Sequence, residues 1–417
     1  MTTQNFTALL RDYMPYNLIV DEMKKRNYFW GKVKKKTGWK SGATLQVPFE
    51  GGEYSSLSFG ALVDSSDIAN FTPVAGSVST QPELWGAMKF AEKDLDATES
   101  MEQAFAMLVP GKVRQFVDRM QERVSLNLLN GHLCKILSAW KGVDSGDDPA
   151  NGIVYVDHPE YLTIGERINV KDDDTAVLAT AAYVTAIDMN NHLITVKDAR
   201  SAGSAVNLST FTEAQNAKIY TVGGTASNFT SLSTQLLSAA NGGASTQFGQ
   251  TKASYPILQA QNFDGSGVTA SNILESVSDF FFDTQALGKG NATEIVMSYK
   301  NFKNCAANLT EQRRFMSGEK MGGYGFRSID LLGPENDFKI TGIRDVADDL
   351  MYIIDWNAMT FHGDKFFERK RHLNGEEYFL ERATTGYSYI VDTKIYGDLV
   401  VHAPSHCGVV HSISYTD

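Results

Sequence analysis

Cysteine is nearly absent from this chain. Cys134, Cys305 and Cys407 are spread over 417 residues, and no two stand in a CxxC pair. An odd count at wide spacing argues against a disulfide framework and a zinc knuckle, and points to a reducing setting. Long apolar runs are missing as well. No stretch of about 18 apolar residues occurs, and residues 1–20 interrupt their apolar stretches with charges and Pro15. The expectation is a protein that neither enters a membrane nor is exported by a signal peptide. Positive charge is in deficit: 38 Lys and Arg against 49 Asp and Glu give a net charge of −11. Such a balance disfavours general coating of nucleic acid, which needs clustered cations against phosphate.

Catalytic signatures are equally sparse. Neither a phosphate-binding loop of the G-x-x-x-x-G-K-[ST] type, nor G-x-S-x-G, nor H-E-x-x-H occurs. Ser138-Ala-Trp-Lys141 fits S-x-x-K and Lys36-Thr-Gly38 fits K-T-G, but the second precedes the first, reversing the order that serine acyl-enzymes use. His402-Ala-Pro-Ser-His406-Cys407 offers metal-ligand types, yet Pro404 keeps the two histidines off one helix face, so a strand-end turn is expected. The acidic run 172–174 lacks the spaced oxygens and closing Glu of a calcium loop. Phe280-Phe281-Phe282 reads as core. No catalytic residue, cofactor or metal site is expected.

What is present is an ordinary globular composition, 42% hydrophobic and 21% charged, on a chain too long for one core. Short helices are read over 6–10 and 17–23. Residues 24–40 then hold eight basic residues and no acidic one. Lys24, Lys25, Arg26, Lys34, Lys35, Lys36 and Lys40, interleaved with Trp30 and Trp39, are the candidate inter-subunit contacts. The plain reading is a solvated linker. The functional reading is an arm that docks on acidic neighbouring surfaces or touches nucleic acid, with the aromatics favouring a protein groove.

Residues 43–49 alternate in strand period, a Gly/Ser-rich stretch follows, and 77–90 is again extended; a long two-stranded excursion with little core of its own is expected. Ser100 and Gln103 fit a capping box. Val113, Phe116, Val117, Met120, Val124 and Leu128 form a helical stripe, which Leu133, Ile136, Leu137 and Trp140 extend past Asn130-Gly131. After Gly142 the pattern changes to short, turn-separated apolar runs, so 143–222 reads as an autonomous small all-β domain making few contacts with the helix. Helices are expected over 269–287 and 300–315, a buried strand over 294–298, and strands from 338 onward. Parts this loosely self-supporting suit copies that bury one another.

The order of these parts resembles the major capsid proteins of tailed bacteriophages, the Hong Kong 97-like family, over nearly the whole chain. The resemblance is carried by Phe90-Ala-Glu-Lys-Asp-Leu-Asp-Ala-Thr98 entering the long helix, Gly249-Gln-Thr-Lys-Ala-Ser-Tyr-Pro256, Glu294-Ile-Val-Met-Ser-Tyr-Lys-Asn-Phe302, and Ile390-Val-Asp-Thr-Lys-Ile-Tyr-Gly-Asp-Leu-Val-Val401. It implies an α+β fold with an N-terminal arm (1–39), an extended E-loop (40–91), a spine helix opening the peripheral domain (92–142), an inserted β-barrel-like domain (143–222), and an axial domain with the rest of the peripheral domain (223–417). It implies a structural shell protein, not an enzyme, that self-assembles into hexamers and pentamers of an icosahedral virion capsid in the host cytoplasm. The implied partners are further copies, portal, scaffold and decoration proteins, and packaged double-stranded DNA in non-specific proximity. Some members cross-link a loop lysine to a neighbour; Lys40 and Lys89 occupy such positions here, with no marked partner. A nanocompartment shell of the same fold and a tail or baseplate component are the alternatives.

Overall fold

The computed structural model describes residues 28–40, 43–49, 74–78, 81–91, 102–137, 147–171, 177–209, 217–223, 228–288, 290–313, 328–331, 337–363, 368–369, 381–382 and 388–414. Lys24, Lys25, Arg26, the helices read over 6–10 and 17–23, the acidic run 172–174, and Ser138 and Lys141 lie outside the described residues.

In chain order, the first elements are α1 (Tyr28–Lys32), β1 (Lys34–Thr37), β2 (Leu45–Phe49), β3 (Val74–Val78), β4 (Glu83–Ala91) and the long helix α2 (Glu102–Leu129). A run of strands follows: β5 (Cys134–Lys135), β6 (Ile153–Tyr155), β7 (Arg167–Lys171), β8 (Val177–Asp188), β9 (Leu193–Lys197) and β10 (Lys218–Thr221). Next come α3 (Leu232–Leu236), the two-residue strands β11 (Thr246–Gln247) and β12 (Gln250–Thr251), β13 (Gln261–Asp264), α4 (Ile273–Leu287), β14 (Glu294–Met297) and α5 (Tyr299–Arg313). The chain closes with β15 (Ile329–Leu331), β16 (Phe338–Gly342), β17 (Met351–Ile354), β18 (Met359–Gly363), β19 (Glu368–Arg369), β20 (Glu381–Arg382), β21 (Ser388–Tyr396), β22 (Asp398–Val401) and β23 (Gly408–His411).

These elements form two compact units, each assembled from three separate stretches of chain. One unit comprises residues 1–31, 82–230 and 365–397. Its α2 has 28 residues, about 42 Å of helix at 1.5 Å per residue. The extension of this helix past Asn130-Gly131 is corrected by the structure. Gly131 takes a left-handed φ of 79°, and the N–H groups of Asn130 and Gly131 both return to Leu126 O, closing the last turn. The apolar residues beyond belong to a sheet: Leu133 N–H bonds Ile219 O and Ile136 N–H bonds Ala217 O.

That sheet has six strands in the order β5-β10-β7-β8-β9-β6, all antiparallel. The strand runs read from sequence over 143–222 are therefore present and join no other sheet. Its edge strand, however, is Cys134–Lys135, so the all-β portion starts before Gly142. It also shares its core with the helix, because Leu126 packs into the cluster of Val154, Ile168, Val170, Val184, Ile194 and Ile219. Arg123, near the end of α2, donates from Nη2 to both Glu166 carboxylate oxygens at 2.6 and 2.8 Å and to Tyr161 O at 2.6 Å. From the helix, Leu126 thus reaches this core and Arg123 the segment before β7.

The excursion read over 40–91 is divided by the structure. β2 pairs with β3, which takes in only the first two residues of the 77–90 run, whereas β4 pairs with β21 along nine positions in the sheet containing β19 and β20. Gly86 sits in β4 where Met120 and Phe116 of α2 cover it, and a Cβ there would collide with both.

The other unit comprises residues 32–81, 231–364 and 398–417. Its main sheet has the order β13-β23-β17-β14-β16-β15, with β13/β23 and β14/β16 parallel. α4 and α5 supply Ile273, Val277, Phe281 and Cys305 to its core. Phe281 stacks on Phe338 with centroids 4.0 Å apart in this core, Phe280 packs against it partly buried, and Phe282 is exposed, so one of the three expected core positions is fully core. A second, three-stranded sheet has the order β1-β18-β22.

Candidate functional site

The basic segment is not a free tether over its described length. β1 runs parallel to β18 in the register Lys34↔Thr360, Lys35↔Phe361, Lys36↔His362 and Thr37↔Gly363. Nothing in Lys-Lys-Lys-Thr favours a strand; the ladder to β18 imposes one. Trp30 and Trp39 are 2% and 4% exposed, so their apolar surface is covered within their own chain. The Trp39 indole donates to Ala43 O at 2.7 Å. The lysines have separate fates. Lys34 donates to Asn357 Oδ1 at 2.6 Å, and Lys35, half-buried, donates to Val33 O at 3.1 Å. Lys34, Lys36 and Lys40 are exposed, leaving a cationic edge of three side chains.

Behind this edge stands a histidine pair. His362 lies across from Lys36 on β1 and Asp398 on β22, and its ring meets that of His402 at 5.6 Å. Burial, the neighbouring His402 and Lys36 together hold His362 down to about 4, and burial and Lys36 also lower His402.

The base of the β2–β3 hairpin is a second built feature. β11 and β12 are joined by Phe248-Gly249, with φ of 50° and 81°, the double left-handed turn that a tight hairpin requires. Phenylalanine pays for this backbone with about 1–3 kcal/mol of strain. In return Phe248 stacks on Phe49 at 6.0 Å and accepts from Ser77 N–H at 2.9 Å, while Gln250 Nε2 donates to Ala75 O at 3.1 Å. Gly76 lets the strand come this close: a Cβ there would lie 2.6 Å from Phe49 and 2.8 Å from Phe248. Val47 and Phe49 are buried with Leu258 and Val400. The excursion thus has a core at its root, contrary to the sequence expectation.

The remaining described sequence candidates take places in strands and turns. Lys36-Thr37-Gly38 is the end of β1. His406, in the short 3-10 turn Pro404–His406, pairs with Asp355 at 3.5 Å, and Cys407 is buried, its thiol pushed up to about 12 by burial. Among the described residues no group of three or more His, Cys, Asp or Glu is placed to hold a metal ion, and no described helix is long and apolar enough to cross a membrane.

No family model matches the sequence, and no curated protein matches it. Solved structures do. The cyanophage A-1(L) capsid asymmetric unit is similar at a TM-score of 0.47 and 8% identity, covering 93% of both chains. The capsid of the native GTA particle gives 0.46 and 10%, covering 93% of this chain and 90% of that one. The SrpI encapsulin complex of Synechococcus elongatus gives 0.38 and 6%, covering 94% and 90%. All three come from capsid or encapsulin assemblies.

Sequence reasoning missed the residues that fix the hairpin root. Gln235 acts as a substitute strand against β22, donating to Leu399 O at 2.8 Å and accepting from Val401 N–H at 2.9 Å. Lys252, buried, donates from Nζ to Thr234 O, Gln235 O and Leu237 O at 2.7–3.0 Å, and burial lowers its amine to about 8. A lysine in a polar loop gives no signal that it will cap a helix end in the interior. Lys252→Ala should orphan these carbonyls and destabilise the unit by about 1–3 kcal/mol, read as a lowered urea midpoint at unchanged slope.

Proposed function

We propose that this chain is the major capsid protein of a tailed bacteriophage, laid out as in the Hong Kong 97-like family. The observation that carries the reading is the sequence of elements: a hairpin rooted at 45–49 and 74–78, a strand at 83–91 paired with 388–396, a 28-residue helix, and a closing mixed sheet. In this reading the hairpin is the E-loop, α2 the spine helix, and the sheet that begins at Cys134 the inserted β domain. Copies assemble into hexamers and pentamers around double-stranded DNA, with portal, scaffold or decoration proteins as partners. Electron microscopy of the purified protein tests it: closed shells are expected, and a chain that stays monomeric by sedimentation at every concentration and salt level overturns it.

The exposed cations Lys34, Lys36 and Lys40 face acidic surface on neighbouring copies in this proposal. Each such pair contributes only about 0–1 kcal/mol, but repetition over a shell multiplies it. Reversing Lys34, Lys36 and Lys40 to Glu should abolish shells at low salt and restore them partly at high salt, where repulsion is screened. Light scattering of assembly across salt concentrations measures this. Normal assembly at both extremes would remove the segment from the interface.

A further inference from the structure

Strand β1 is held on its sheet beside the His362–His402 pair. His362 is 8% exposed and its Nε2 is buried with no hydrogen-bond partner. On the same face lie Lys36 from β1, directly across in register, and Asp398 from β22 on the other side. His402, just beyond β22, presents its ring at 5.6 Å in an edge-on arrangement. Asp398 Oδ1 is already engaged with Leu399 N–H at 2.9 Å. Among the described residues, the charged and titratable groups beside His362 are two potential cations, Lys36 and His402, and the buried carboxylate of Asp398.

We infer that Lys36, His362 and His402 form a proton-sensitive latch, in which protonating the histidines releases strand Lys34–Thr37 from Met359–Gly363. The physics is linkage. A proton on His362 Nε2 would create a buried N–H with no acceptor, next to Lys36 and a second imidazole. Detaching β1 removes the Lys36 charge and opens the ring to water, so the detached state binds protons that the attached state refuses. His362 is held near 4 when attached and has an ordinary value of 6.5. The sign follows: attachment is fully favoured above about 6.5 and is lost progressively as pH falls from there toward 4. At pH 5 the opening equilibrium should rise by up to about 30-fold through His362 alone, with His402 adding in the same direction. The latch does not depend on what the chain assembles into.

Hydrogen exchange on the intact chain reads it directly. Amides of residues 34–39, including Gly38, whose N–H bonds Gly363 O, should lose protection between pH 7.5 and pH 5 by roughly tenfold or more beyond the intrinsic rate change. In His362→Asn/His402→Gln that acid-specific loss should vanish while protection at pH 7.5 is retained. Should the double variant not fold, Lys36→Met leaves both histidines in place and should cut the acid loss severalfold. Equal protection of the native chain at both pH values would overturn the latch, as would an undiminished acid loss in the histidine or Lys36 variants.

Discussion

Replacing Arg123 by alanine should lower the unfolding free energy of the unit containing α2 by about 3–5 kcal/mol. Glu166 would keep its carboxylate where burial already raises it, and would lose the guanidinium that partly offsets that cost. Tyr161 O would lose its 2.6 Å hydrogen bond as well. The loss should be read from urea unfolding monitored by tryptophan fluorescence and far-UV circular dichroism. The pair itself is weak evidence for net stabilisation, since two buried charges are expensive to desolvate. Arg123→Met combined with Glu166→Leu should therefore recover most of the loss. Equal damage from the single and double variants would mean that packing around α2, not the charge pair, dominates.

Phe49→Ala should detach the hairpin root without unfolding the rest of its unit. Phe49 is 3% exposed and stacked on Phe248, and truncating a buried Phe costs about 3–5 kcal/mol. A two-stranded hairpin has almost no stability of its own to meet that cost. The expected result is a loss of exchange protection at 45–49 and 74–78, with near-native protection in Glu294–Met297 and Met351–Ile354 of the main sheet. Shell assembly should fail with it. Protection at 45–49 equal to that of the native chain would show that the aromatic stack does not hold the root.

Where the sequence was legible, one segment carried its own signal. α4 was expected over 269–287 and is found at Ile273–Leu287, because its apolar stripe and its place between polar turns fix both face and length. The fully buried strand Glu294–Met297 and the strands β6 to β10 were readable from their short, turn-bounded apolar runs. β1 was not. Its lysines carry no period, and what makes them a strand is a partner more than three hundred residues away. The aromatics of the basic segment did signal burial, but sequence spacing cannot distinguish burial in the same chain from burial in a neighbour; Trp30 and Trp39 are buried in their own chain. The helix overrun had a local cause. Leu133 and Ile136 keep helical spacing with Leu129, and only the left-handed Gly131 turns that spacing into the start of a sheet. The histidine pair was equally hidden, since His362 and His402 meet only through the pairing of β18 with β22.

The threefold interleaving of each unit has a consequence for synthesis. β23, Gly408–His411, lies between β13 and β17 in the main sheet, and β4 waits for β21. A ribosome delivering residues at about 5–20 per second therefore releases long stretches of both units before their pairing strands exist. Neither unit can finish as the chain emerges. The nascent protein must carry open sheet edges until β21 and β23 are free, and closing such distant pairings is slow. Demand for chaperone protection during that interval is thus written into the strand order itself.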